Sequence, residues 1–74
     1  MNKEAKFKMG EVLIIVDGPN KSEVGKKVTV IDTFNFVRNT KISAVDVWEY
    51  KVKEGVKSLG WIPEYYLEPL IKPQ

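Results

Sequence analysis

Cysteine and histidine are both absent from this 74-residue chain. Without cysteine there is no disulfide framework and no thiolate nucleophile. Without histidine, the side chain most used for proton transfer near neutral pH and for binding transition metals is missing as well. Arginine occurs once, as Arg38, and the other eleven of the twelve basic residues are lysine. A dedicated nucleic-acid surface usually carries a stronger excess of positive charge and more arginine. The net charge of +2 therefore admits a nucleic-acid partner without arguing for one.

Long apolar runs are missing too. None approaches the ~20 residues of a membrane-crossing helix, so no membrane partner is expected. The opening "MNKEAKFKMG" is charged throughout and does not read as a signal peptide, which makes a cytoplasmic location the expectation. The carboxylates are scattered: Glu49 falls on a strand, Glu64 in a turn and Glu68 on a last strand. No glycine-rich phosphate loop leads into a helix. We therefore expect no enzyme, no cofactor and no metal site.

What the chain does have is strand-forming sequence. Seventy-four residues make one domain, expected over 7–72 behind a flexible arm at 1–6. "EVLIIVD" (11–17) is rich in β-branched residues and runs into the turn signal "GPN". "KKVTVIDTFNF" (26–36) is a second strand, and Asp32 breaks its apolar face, which predicts a bulge or twist nearby. "RNTKIS" (38–43) reads as a loop, and "VDVWEYKVK" (45–53) alternates as a third strand. "LGWIP" (59–63) is a fourth, ended by Pro63. "EYY" fits one helical turn, and "LEPLI" (67–71) is a short edge strand, since Pro69 cannot donate to a ladder. No stretch sustains a 3.6-residue apolar period. An all-β protein of five short strands follows, and a small, strongly bent barrel suits the chain length.

Two stretches resemble known families. "GWIPEYYLEP" (60–69) resembles the end of Src-homology-3 domains, with Gly60, Trp61, Ile62, Pro63, Tyr66 and Leu67 in the family's order. "FKMGEVLIIVD" (7–17) resembles the segment leading into those domains' second strand. "GEVLIIVDGPNKSEVGKKVTVI" (10–31) resembles the KOW motif of ribosomal and transcription proteins, a strand–loop–strand unit whose glycines match Gly18 and Gly25. Ser22 stands where the motif favours a further Gly. Both families imply a small five-stranded SH3-like barrel with one short helical turn before the last strand. Free-standing domains of this size also resemble accessory proteins of bacteria and their phages.

The resemblance departs from the Src-homology-3 pattern at the peptide groove. Only six residues precede Phe7, so half of the groove is expected to be missing or rebuilt. The family's third strand carries two adjacent tryptophans, and here "DVWEY" has one. Alternation puts Trp48, Tyr50 and Val52 on one face and Glu49, Lys51 and Lys53 on the other. Burying three charges costs far more than burying Trp48, so Trp48 is expected to face the core. Val47 then sits where the groove tryptophan would be. A three-residue turn of Glu54, Gly55 and Val56 is expected to set Trp48 across from Ile62 and Trp61 across from Glu49. A two-residue turn at Glu54 and Gly55 would set the two tryptophans against each other.

Leu59, Ile62, Leu67 and Leu70 are expected to close the core. Trp61, Pro63, Tyr65 and Tyr66, with Val47, form the candidate protein-binding surface, because an exposed Trp tends to mark a contact site. The leading expectation is a small non-catalytic binding module whose partner is another protein or peptide. The alternative is a KOW-like, nucleic-acid or ribosome-associated module binding through Lys21, Lys26, Lys27, Arg38 and Lys41. Asp17, Glu23 and Asp32 interrupt that basic set. The sequence leaves the oligomeric state open.

Overall fold

The computed structural model describes residues 4–70. Five strands form one antiparallel sheet: β1 (Val12–Ile15), β2 (Lys27–Asn39), β3 (Ala44–Glu54), β4 (Lys57–Pro63) and β5 (Leu67–Pro69). They are ordered β4-β3-β2-β1-β5 across the sheet. A 3-10 turn at Lys21–Glu23 lies between β1 and β2, and another at Glu64–Tyr66 lies between β4 and β5.

That last connection explains the overall shape. β4 and β5 lie at opposite edges of the sheet, yet three residues join them. Laid flat, four strand spacings would separate the edges by about 19 Å. A 3-10 turn rises only about 2 Å per residue, so it reaches less than half that distance. The sheet must therefore curl until its edges meet.

The curl encloses one core. Leu13 and Ile15 of β1, Val28 and Val30 of β2, Tyr50 and Val52 of β3, Ile62 of β4 and Leu67 of β5 are all buried, and Phe7 joins them from ahead of β1. Each strand supplies alternate residues, as a half-buried pleated surface requires. Trp48 and Leu59 pack at the core's margin, half-buried. Leu70, expected inside, is 39% exposed. It follows Pro69, where β5 has already ended.

Two residues within the arm expected over 1–6 are held in place. Ala5 packs against the core, and the Lys6 N–H donates to both the Tyr50 hydroxyl and Glu64 Oε2, each at 3.1 Å. Residues 1–3 and 71–74 lie outside the described residues, and so do the expected domain end at 72 and the end of "LEPLI".

Several strand limits differ from those the sequence predicts. β1 is shorter than 11–17. β2 and β3 run on into the stretch read as a loop, leaving only residues 40–43 to turn the chain. There the Thr40 hydroxyl accepts from the Ser43 N–H at 2.9 Å, so local side-chain bonding keeps the turn tight.

The β3–β4 hairpin corrects the expected register. Its turn has two residues, Gly55 and Val56, with Glu54 paired to Lys57. Gly55 has φ +60°, which suits the turn type that needs glycine first. Leu59 is then an extra residue between the Lys53–Ser58 and Val52–Gly60 pairs, a bulge beside Gly60 at φ +87°. Turn and bulge together shift the pairing by two residues. Tyr50, not Trp48, faces Ile62, and Lys51, not Glu49, faces Trp61. A shift of two keeps every side chain on its expected face.

Candidate functional site

The outer face of the sheet owes its character to a second bulge, in β2. Val30 pairs with Val52 and Asp32 with Lys51, which leaves Ile31 as the extra residue. Up to Val30, even-numbered residues point inward. Past the bulge, Thr33 and Asn35 face inward opposite Tyr50 and Trp48, while Phe34 and Phe36 face outward opposite Glu49 and Val47. Phe34 is 53% exposed. Its ring stacks on Phe36 with centroids 5.8 Å apart and meets Trp61 edge-on at 6.2 Å. Trp61 itself is 44% exposed.

Beside this aromatic strip runs a groove of about 330 Å³. It is lined by Trp61 and Pro63 at the end of β4, by Tyr65 and Tyr66 of the 3-10 turn, and by the 17–20 loop and Glu23. The two tyrosine rings pack edge-to-face at 4.6 Å. The turn that carries them is pinned to β1, because the Val16 N–H donates to the Tyr66 carbonyl at 2.8 Å. Tyr66 also packs close over Gly18, where an added Cβ would sit 3.8 Å from its ring. Both contacts tie the tyrosine-bearing turn to the chain at 16–18.

Its charged residues are mostly acidic: Asp17, Glu23 and Glu49, with Arg38 from β2. Asp17 is engaged by Lys21 at 2.8 Å and by the Gly18 N–H at 2.8 Å. The hydrogen bond from Lys21, then that of Gly18, holds the Asp17 carboxyl below its ordinary range and raises Lys21 correspondingly.

The predicted protein-binding residues are therefore mostly brought together: Trp61, Pro63, Tyr65 and Tyr66 line one groove. Val47 shares their sheet face but lines a neighbouring cavity of about 810 Å³ with Val45 and Trp48. Arg38 and Tyr65 border both spaces. Phe34 and Phe36 were not singled out in the sequence. The signal for them was Asp32, since a bulge placed there inverts everything that follows.

The predicted basic set divides between two ends of β2. Lys26 and Lys27 lie at its start, while Arg38 and Lys41 lie at the far end and its turn. Lys26 pairs with Glu54 at 3.0 Å and Lys21 with Asp17, whereas Lys27 and Lys41 are exposed.

Among the described residues, the buried charged-type side chain is Glu64, 8% exposed. The Tyr50 hydroxyl donates to its Oε2 at 2.7 Å and accepts from the Lys6 and Phe7 N–H groups at 3.1 and 3.3 Å. Burial, then the bond to Glu64, pushes the Tyr50 hydroxyl up to about 12. This cluster ties the N-terminal segment to the turn that carries the tyrosines.

Among the described residues, no group of three or more carboxylate, His or Cys side chains is placed to hold a metal ion, and no helix is long and apolar enough to cross a membrane. No family model matches the chain, and no curated protein or solved structure matches it significantly.

Proposed function

We propose that this chain is a small, non-catalytic, cytoplasmic binding module of the SH3-like kind, docking a segment of another protein along the groove beside Trp61. The observation that carries this reading is the exposed Trp61 ring, continuous with Phe34 and Phe36 on one side and with the Pro63, Tyr65 and Tyr66 wall on the other. Aromatic side chains on a rigid frame give large contact area at little entropic cost, which is why they dominate contact energies between proteins.

The test is affinity capture from a native lysate with the wild-type chain and with Trp61→Ala, each with and without nuclease. Proteins captured by the wild type should be lost with Trp61→Ala and should survive nuclease. Capture that nuclease abolishes would instead favour a KOW-like, nucleic-acid-binding role.

One observation supports that second reading: β1 and β2 pair antiparallel across a loop, as a KOW-like unit would, with the Gly25 N–H donating to the Ile15 carbonyl at 2.7 Å. Against it, the pairing of Lys21 and Lys26 with carboxylates weakens the loop's attraction for phosphate. Nucleic-acid binding through Lys26 and Lys27 should fall steeply with added salt and vanish in Lys26→Glu, Lys27→Glu. An aromatic protein contact should hardly respond to salt.

A further inference from the structure

β2 outgrows its neighbour on one side. β1 pairs with it at Lys27, Val28 and Thr29, and Gly10 and Glu11 bond to Val30; beyond that point the described residues give β2 no ladder partner on that side. The direction of the backbone groups along this open edge follows from the hairpin turn. The Thr40 N–H bonds the Ser43 carbonyl at 2.7 Å, which makes that a hydrogen-bonded pair. Alternation along the antiparallel ladder then makes Arg38–Val45, Phe36–Val47 and Phe34–Glu49 hydrogen-bonded pairs too. The N–H and C=O groups of Thr33, Asn35 and Val37 therefore point away from β3, into the open edge. The Thr33 N–H accordingly bonds to Asp32 Oδ1 at 2.8 Å rather than into a ladder.

The edge sequence is "DTFNFVR", residues 32–38. Read outward from Asn35, it is self-complementary. Phe34 mirrors Phe36, β-branched Thr33 mirrors β-branched Val37, and acidic Asp32 mirrors basic Arg38. We propose that two copies of this chain associate through this edge, antiparallel about a two-fold axis at Asn35, continuing the sheet across the dimer.

In that register Asn35 faces its own copy and Thr33 faces Val37, and these are the residues whose backbone groups point into the open edge. About six ladder hydrogen bonds result. Phe34 lies opposite Phe36 twice, joining the two outer aromatic strips into one that ends at each copy's Trp61. Asp32 lies opposite Arg38 twice, so opposite charges meet at both ends of the contact. The Asp32 carboxylate leaves its local bond to Thr33, whose N–H passes to the Val37 carbonyl of the other copy. A register slip of one residue in either chain would bring Phe against Asn and Arg against Thr, so charge and shape choose this alignment.

The test is sedimentation equilibrium of the purified chain over a range of concentrations. The wild type should show a monomer–dimer equilibrium. Asp32→Arg and Arg38→Asp should each weaken the dimer roughly tenfold or more, because each turns two attractive contacts into repulsive ones. The double variant Asp32→Arg, Arg38→Asp should restore it. Asn35→Pro should give a folded monomer, since it removes an edge N–H that β3 does not use. A wild type that stays monomeric to millimolar concentration overturns the proposal. So does a dimer insensitive to Asn35→Pro, or one that the double variant does not restore.

Discussion

Replacing Tyr50 by Phe deletes one oxygen from the buried polar cluster around Glu64. That oxygen donates to Glu64 Oε2 at 2.7 Å and accepts from the Lys6 and Phe7 N–H groups. Lys6 keeps a second bond, to Glu64. The Phe7 N–H belongs to a residue only 2% exposed, and Glu64 is 8% exposed, so water cannot readily replace what is lost. Each buried polar group left short of a partner costs about 1–3 kcal/mol, which puts Tyr50→Phe at roughly 2–4 kcal/mol. A domain of this size holds on the order of 4–11 kcal/mol in total, so the urea midpoint should fall far. The cluster also predicts a pH signature. The folded Tyr50 hydroxyl titrates at about 12, whereas in the unfolded chain it titrates near the ordinary 10.0. Between those values the unfolded chain releases this proton while the folded chain keeps it. Stability therefore falls as pH rises above 10, by about 2 kcal/mol once pH reaches 12. Urea titrations of wild type and Tyr50→Phe at neutral and alkaline pH measure both effects. The reasoning fails if Tyr50→Phe lies within 0.5 kcal/mol of wild type at pH 7, or if both proteins lose stability equally above pH 10.

Trp48→Ala should destabilise by about 2–4 kcal/mol in urea, less than a central core residue of its size, because it packs at the margin of the core. Trp61→Ala should cost about 1 kcal/mol and leave the circular dichroism of the fold intact, since the ring touches Phe34 on an exposed face. Gly55→Ala should cost about 1 kcal/mol despite open space around the site, because φ +60° strains any Cβ. Leu70→Ala should change the urea midpoint by less than about 0.5 kcal/mol of stability, in keeping with its exposure.

How much of this was legible in the sequence depends on whether a feature was local. The five strands, the 3-10 turn after Pro63 and the inward face of Tyr50 and Val52 follow from alternation and proline placement, which act over a few residues. The β3–β4 register was not legible, because it depends on two separate insertions whose effects combine. A turn of two residues and a bulge at Leu59 together mimic a longer turn in facing but not in pairing. Leu70 was misplaced because an apolar residue after Pro69 reads as core, whereas β5 is already finished there. The Tyr50–Glu64 bond joins residues fourteen apart in sequence and reads there only as a scattered carboxylate.

The bulge at Ile31 shows why the outer face is aromatic at all. In an unbroken β2, Val30 would still face Val52, but Asp32 would face Tyr50 and Phe34 would face Trp48, all inside. Burying two phenylalanines would return about 1.5–3 kcal/mol each. Against that, a carboxylate would enter the core beside Tyr50, at several kcal/mol if unpaired. Size also disfavours it: Tyr50 and Trp48 are large, and the bulge sets the smaller Thr33 and Asn35 opposite them. One inserted residue solves both problems by turning Asp32 to the surface opposite Lys51. It does so only by turning Phe34 and Phe36 out as well. The exposed aromatic strip is thus coupled to the packing of the core, and a variant that lacks the strip must keep the bulge. Phe34→Ser with Phe36→Ser should therefore leave stability within about 1 kcal/mol of wild type while removing the contact surface. A loss several times larger would mean that these rings hold the sheet together instead.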